Sequence, residues 1–150
     1  MKKLLFICIL LAVSLTAFAG NNSIEGKWQA YDIAITIEGI PTAISTAIAQ
    51  QIKNDPSTEC VRNSVIEVKK NHTFTLTNAC EQNGDMSGTW KLNGDKLSVT
   101  LSKYPNSNEI IAIKSITEEL ITVDITDKIP KNFEFNGIKP TSLILTLKKM

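Results

Sequence analysis

Histidine occurs once in this chain, as His72, so no histidine metal cluster can form, and without a neighbouring Ser or Cys signature the residue makes a poor member of a catalytic triad. The sequence has no Gly-rich phosphate loop, no C-x-x-C pair and no G-x-S-x-G elbow. Its adjacent carboxylates, Glu118-Glu119 and Asp124 with Asp127, fall in a turn and at a strand end, where they read as solvated charges. An excess of charge of one sign is missing too. With 16 Lys+Arg against 15 Asp+Glu and no basic cluster larger than a Lys-Lys pair, nucleic acid is a poor partner, since neutralising phosphates takes a clear basic excess. No repeat, low-complexity tract or linker rich in Pro, Gly or Ser divides the chain. These absences leave no catalytic residues and no cofactor or metal site to nominate.

The one long apolar run stands at the N-terminus. Lys2 and Lys3 precede Leu4–Leu15, and Ala17-Phe18-Ala19 offers small residues where a signal peptidase reads them, so residues 1–19 are expected to be a cleaved export signal and residues 20–150 the mature domain. The run is short for a span of ~20 residues and polar Asn21-Asn22-Ser23 follows, so no stable membrane insertion is expected after cleavage. Position 18 is Phe, which leaves no cysteine to carry a lipid anchor, so the product is expected to be secreted or periplasmic. Loss of Lys2 and Lys3 takes the 16 basic residues down to 14 against 15 acidic ones. Cys8 leaves with the signal. Cys60 and Cys80 remain, in a compartment where disulfides persist, and a Cys60–Cys80 bridge is the expectation.

Beyond the signal the chain alternates short β-branched runs with turn residues. Met86–Leu101 folds about Asn93-Gly94, and a type I′ turn there pairs Leu92 with Asp95, Trp90 with Leu97, Gly88 with Val99 and Met86 with Leu101. In the preceding hairpin, shared parity sets Val68 opposite Phe74 and Ile66 opposite Leu76, with Asn71 or His72 left-handed in the loop. Extending that register puts Cys60 and Cys80 on one face at the hairpin's open end. Further strands are expected over Glu109–Ile116, Leu120–Thr126 and Leu143–Lys148, with Phe133 and Phe135 as a short addition before Asn136-Gly137. The first strand, from Ile24 to about Ile37, changes parity near Tyr31-Asp32, which predicts a bulge. Only Pro41–Asn54 is helical: Ile44, Ile48 and Ile52 recur at i, i+4 and i+8, and Asp55-Pro56 ends it. The expected fold class is all-β and mainly antiparallel, an up-and-down barrel of about eight strands with one helix between strands 1 and 2.

Gly26-Lys27-Trp28 at the start of the first strand resembles the G-x-W of lipocalins, whose Trp packs across the closed end of the barrel. The run Ser87–Leu97 (SGTWKLNGDKL) and the order of exported N-terminus, G-x-W strand, apolar insert and sequential hairpins are similar to lipocalin-like domains of bacterial secreted proteins. The departures are a helix where lipocalins have a long loop, and no match to the Arg that backs their Trp, Lys148 and Lys149 being only loosely placed for it.

The resulting expectation is an exported, non-enzymatic protein holding a small apolar or amphipathic ligand inside the barrel. Trp28, Phe74, Leu76, Met86, Trp90 and Val99 would line the interior, and Ile44 and Ile48 would form a lid. The alternative is a filled barrel that works through its outer surface as a protein-interaction module of the cell envelope, with an unknown protein partner and Tyr31, Tyr104 and Ile144 on that surface.

Overall fold

The computed structural model describes residues 23–77, 84–129 and 140–150; residues 1–22, where the export signal is expected, Cys80, and Phe133, Phe135 and Asn136-Gly137 lie outside them. Eight strands follow one another around a closed antiparallel barrel: β1 (Gly26–Thr36), β2 (Val65–Val68), β3 (Thr73–Thr77), β4 (Met86–Asn93), β5 (Lys96–Leu101), β6 (Asn108–Ile116), β7 (Leu120–Asp124) and β8 (Ser142–Lys149). β8 returns to pair with β1, so the ring has no free edge to cap. Between β1 and β2 lie α1 (Thr42–Asn54), a 3-10 turn (Pro56–Thr58) and the short α2 (Glu59–Asn63).

The up-and-down order sorts the connections onto two ends. The tight β2–β3, β4–β5 and β6–β7 turns share one end with Trp28, and the longer connections share the other with the helices. Val68 pairs with Phe74 and Ile66 with Leu76, as parity predicts, and His72 adopts φ 62 in the exposed turn. The bulge also falls where expected, the β1–β8 register shifting between Ala30 and Asp32.

The β4–β5 register differs from the expected one. Leu92 pairs with Leu97, Trp90 with Val99 and Gly88 with Leu101, so the turn is Gly94-Asp95 rather than Asn93-Gly94. Gly94 takes φ 62 at the first central position, as in a type II′ turn, which asks for one left-handed residue instead of two and leaves Asn93 extended opposite Lys96. The shift is by two residues, an even number, so every side chain keeps its face.

Two further corrections concern the insert. Residues 59–63 are helical rather than an extension of β2, so Cys60 stands on α2 and not at a strand end. The buried face of α1 is Ser45, Ile48, Ala49 and Ile52, while Ile44 is 51% exposed. The helix is thus turned by one position from the expected face. Small Ser45 and Ala49 lead the contact and allow a closer approach to β1 than an isoleucine ridge would. That face packs with Ile35, Ile37, Ile33 and Leu143, covering the end of the barrel opposite Trp28. Asp55 N–H bonds back to the Ile52 carbonyl at 3.3 Å, ending the helix before Pro56.

Candidate functional site: an apolar chamber inside the barrel

The period-2 alternation of the strands turns one apolar row from each strand inward, and their side chains do not meet at the axis. They leave a chamber of about 210 Å³, lined among others by Trp28, Ile66, Phe74, Trp90, Val99, Ile113, Val123 and Leu145. Every lining residue is an apolar or aromatic one.

The closed end is built around Trp28, which is 1% exposed and is the largest fully buried side chain among the described residues. Its indole N–H donates to the Ile24 carbonyl at 2.7 Å, so the polar edge of the ring is satisfied within the preceding turn of chain. Lys149 Nζ stands 5.4 Å from the ring centroid, within cation–π range. A Cβ on Gly26 would lie 2.8 Å from Lys149 Cε, and Gly26 has φ 133, so the glycine of the G-x-W run is what lets the lysine stem cross to the tryptophan. The position that sequence spacing left loosely defined is therefore occupied by Lys149.

Trp90 closes the neighbouring sector. Its Nε1–H is directed at the Lys69 and Thr73 carbonyls, both at 3.1 Å, and His72 lies against its ring with centroids 4.9 Å apart. Phe74 lies across Gly88, its direct partner on β4, because a Cβ there would come within 2.7 Å of the phenyl ring and collide with the Thr100 carbonyl. With both indole N–H groups paired to backbone, no lining side chain presents an unpaired hydrogen-bonding group to the chamber. Such a space is suited to an apolar molecule rather than to water, which needs two to four polar partners.

Of the residues expected to line the interior, Trp28, Phe74, Trp90 and Val99 do so. Leu76 and Met86 pair with each other at the last rung of β3 and β4, toward the helix-covered end and outside the chamber lining. Ile48 belongs to the α1 cover and Ile44 projects outward. Ile24, Ile121, Ile125 and Leu147 also line the chamber, though sequence reasoning passed over them. Ile121 and Ile125 share the parity of Val123, and Leu147 that of Leu145, all of which line the chamber, so strand alternation held the signal. Ile24 stands just ahead of β1, although the sequence places it at the start of the first strand and in parity with Trp28.

Outside the barrel, Asp124 is the one strongly shifted acid among the described residues. The Thr126 hydroxyl and amide bond its carboxylate, and with Lys114 beyond them hold its pKa down to about 2. This group caps the end of β7 and faces away from the chamber, since its neighbour Val123 points in. Among the described residues no cluster of three or more His, Cys, Asp or Glu is placed to hold a metal, and no helix is long and apolar enough to cross a membrane.

A sequential antiparallel barrel closed on itself around an apolar chamber, with a G-x-W tryptophan across one end, defines the class as an up-and-down β-barrel of the lipocalin-like kind. The chain belongs to the lipocalin-like domain family, whose sequence model matches residues 24–123. A comparison with curated protein sequences finds no match. Among solved structures it is similar to a lipocalin-like protein from Bacteroides uniformis at 12% identity, covering 85% of this chain and 98% of that one with a TM-score of 0.47. It is also similar to a duf4847 family protein from Bacteroides vulgatus, at 14% identity over 83% of this chain and 92% of that one, TM-score 0.46. An uncharacterized protein from Bacteroides eggerthii is similar at 13% identity over 85% and 100% of the two chains, TM-score 0.46.

Proposed function

We propose that residues 20–150 are exported to the periplasm or beyond and act there as a non-enzymatic binding protein, holding a small apolar or amphipathic molecule inside the barrel. The observation that carries this reading is the chamber of about 210 Å³ with an all-apolar lining whose indole N–H groups are already paired. An apolar cavity of ~150 Å³ is known to stay dry and to take up benzene or xenon, so a chamber of this size has a stated occupant class. Trp28, Phe74, Trp90 and Val99 contact the ligand in this reading, Leu76 and Met86 stand where it enters, and Ile48 belongs to the cover. The N-terminal sequence supports export, and a Cys60–Cys80 bridge would tie α2 to the β3–β4 connection, closing a loop of ~20 residues for about 3 kcal/mol.

Crystals of the protein held under xenon pressure provide the test. A xenon peak among Trp28, Phe74, Val99 and Val123 is expected. Side chains closed onto one another, with no xenon in the barrel, would overturn the reading.

A further inference from the structure

A second cavity, of about 140 Å³, lies beside the chamber. It exists because β1 and β2 part company early. They pair only from Gly26 to Gln29, whereas β1 stays paired with β8 as far as Thr36. From Ala30 onward β1 therefore has a strand on one side only among the described residues, and α1 and α2 pack against it in place of β2. Side chains rather than a backbone ladder fill that seam, and the side cavity is the space they leave.

The surface of this cavity is almost wholly carbon. Ala30, Ile33, Ile52 and Leu145 supply apolar walls, and Tyr31 and Val61, 51% and 55% exposed, stand at its rim. The polar residues beside it turn their polar atoms elsewhere. Lys53 Nζ lies 3.1 Å from the Asp32 carboxylate, the Thr58 hydroxyl is directed at the Ile52 and Asp55 carbonyls at 2.9 and 2.8 Å, and Arg62 Nε is inaccessible. A space that offers no hydrogen-bonding group suits hydrocarbon and excludes a charged or hydroxylated end.

Leu145 lines both cavities and so stands between them. Its strand partners are Ile33 on β1, which lines the side cavity, and Val123 on β7, which lines the chamber. A leucine side chain passes between staggered rotamers without any change of backbone, so a turn of Leu145 joins the two spaces.

We propose that the side cavity is the tail subsite of the barrel's ligand: an unbranched hydrocarbon chain runs from the chamber past Leu145 and ends between β1 and the two helices. Scaled from a cavity of ~150 Å³ that takes up the six carbons of benzene, the chamber holds about eight carbons and the side cavity about six more. Two lobes joined at one side chain suit a flexible chain better than a rigid ring system of the same volume. The inference rests on the reading of the barrel as a ligand holder and specifies the shape and length of the ligand.

Titration with octan-1-ol and with dodecan-1-ol, which share a head group and differ by four methylenes, provides the test. Trp28 and Trp90 line the chamber, so their fluorescence reads its occupancy. Each buried methylene is worth about fourfold in affinity, and dodecan-1-ol is expected to bind on the order of a hundredfold more tightly. Ala30→Phe, whose added ring fills the side cavity, should remove that preference through loss of dodecan-1-ol affinity alone. If Ala30→Phe does not fold by circular dichroism, Val61→Trp fills the same space from the exposed rim and takes its place. Near-equal affinities in the unaltered protein, a preference that survives the filling, or a filled variant that weakens both alcohols alike would overturn the tail subsite while leaving the chamber reading intact. Binding of neither alcohol would overturn both.

Discussion

Replacing Trp28 by alanine removes the side chain that closes one end of the barrel. The residue is 1% exposed, so nearly its whole surface is lost to the fold, and buried aromatic-to-alanine changes cost about 3–5 kcal/mol. Two effects adjust that figure. The Ile24 carbonyl loses its donor in a buried setting, which adds about 1–3 kcal/mol, and the Lys149 contact disappears with the ring. Against this, one side of the ring borders the chamber, where no atoms are lost because none were in contact. A net loss of about 4 kcal/mol is expected, most of the stability of a domain at the lower end of the usual ~5–15 kcal/mol. Trp28→Phe retains the apolar ring and loses only the N–H and part of the area, so about 1–2 kcal/mol is expected. Urea unfolding at neutral pH, followed by Trp90 fluorescence and far-ultraviolet circular dichroism, measures both variants. An alanine loss below about 1.5 kcal/mol, or equal losses for the two variants, would refute the assignment of Trp28 as the end closure.

Gly88→Ala should cost more than about 2 kcal/mol, because the Thr100 backbone and the Phe74 ring occupy the space a Cβ needs; Gly39→Ala, with open space but φ 74, should cost only about 1 kcal/mol, and a reversed order in urea midpoints would contradict the packing. Val99→Phe should fill part of the chamber, raise stability by on the order of 1 kcal/mol and abolish xenon uptake; a loss of stability would mean that the space is already filled. The folded Asp124 is a stronger acid than its unfolded counterpart, whose pKa is near 3.8, so the unfolded chain binds the proton first and stability falls as pH drops from about 4 toward about 2. Asp124→Asn should flatten that stretch of the urea-midpoint profile, and parallel profiles for the two proteins would sink the assignment.

Topology was legible in the sequence wherever two independent local signals agreed. The β2–β3 hairpin is the clearest case, since parity fixed Val68 opposite Phe74 and only a short loop fits that pairing. In the β4–β5 hairpin the faces were legible and the register was not. Asn93-Gly94 and Gly94-Asp95 both make good turns, and slipping by two residues costs nothing in burial pattern, so only the choice between two left-handed residues and one separates them. The α1 face was misjudged because hydrophobic periodicity rewards large residues. The contact is instead led by Ser45 and Ala49, whose small size permits a close approach. Lys149 could not be assigned to Trp28 by spacing alone, because the contact joins the first strand to the last and passes over a glycine. The second cavity of about 140 Å³ was invisible for a similar reason, its walls coming from β1, β8 and two helices that the sequence does not place side by side. The chamber itself follows from volume, and alternation shows which side chains point inward without showing whether they meet.

Native mass spectrometry of the protein purified from cells that naturally make it, compared with the denatured chain, is the most direct test of the central claim. The account predicts a processed chain beginning at Gly20 and carrying a mass excess of a small molecule that is lost on denaturation. A bare chain of identical mass under both conditions, repeated across preparations, would contradict it and move the function to the barrel's outer surface.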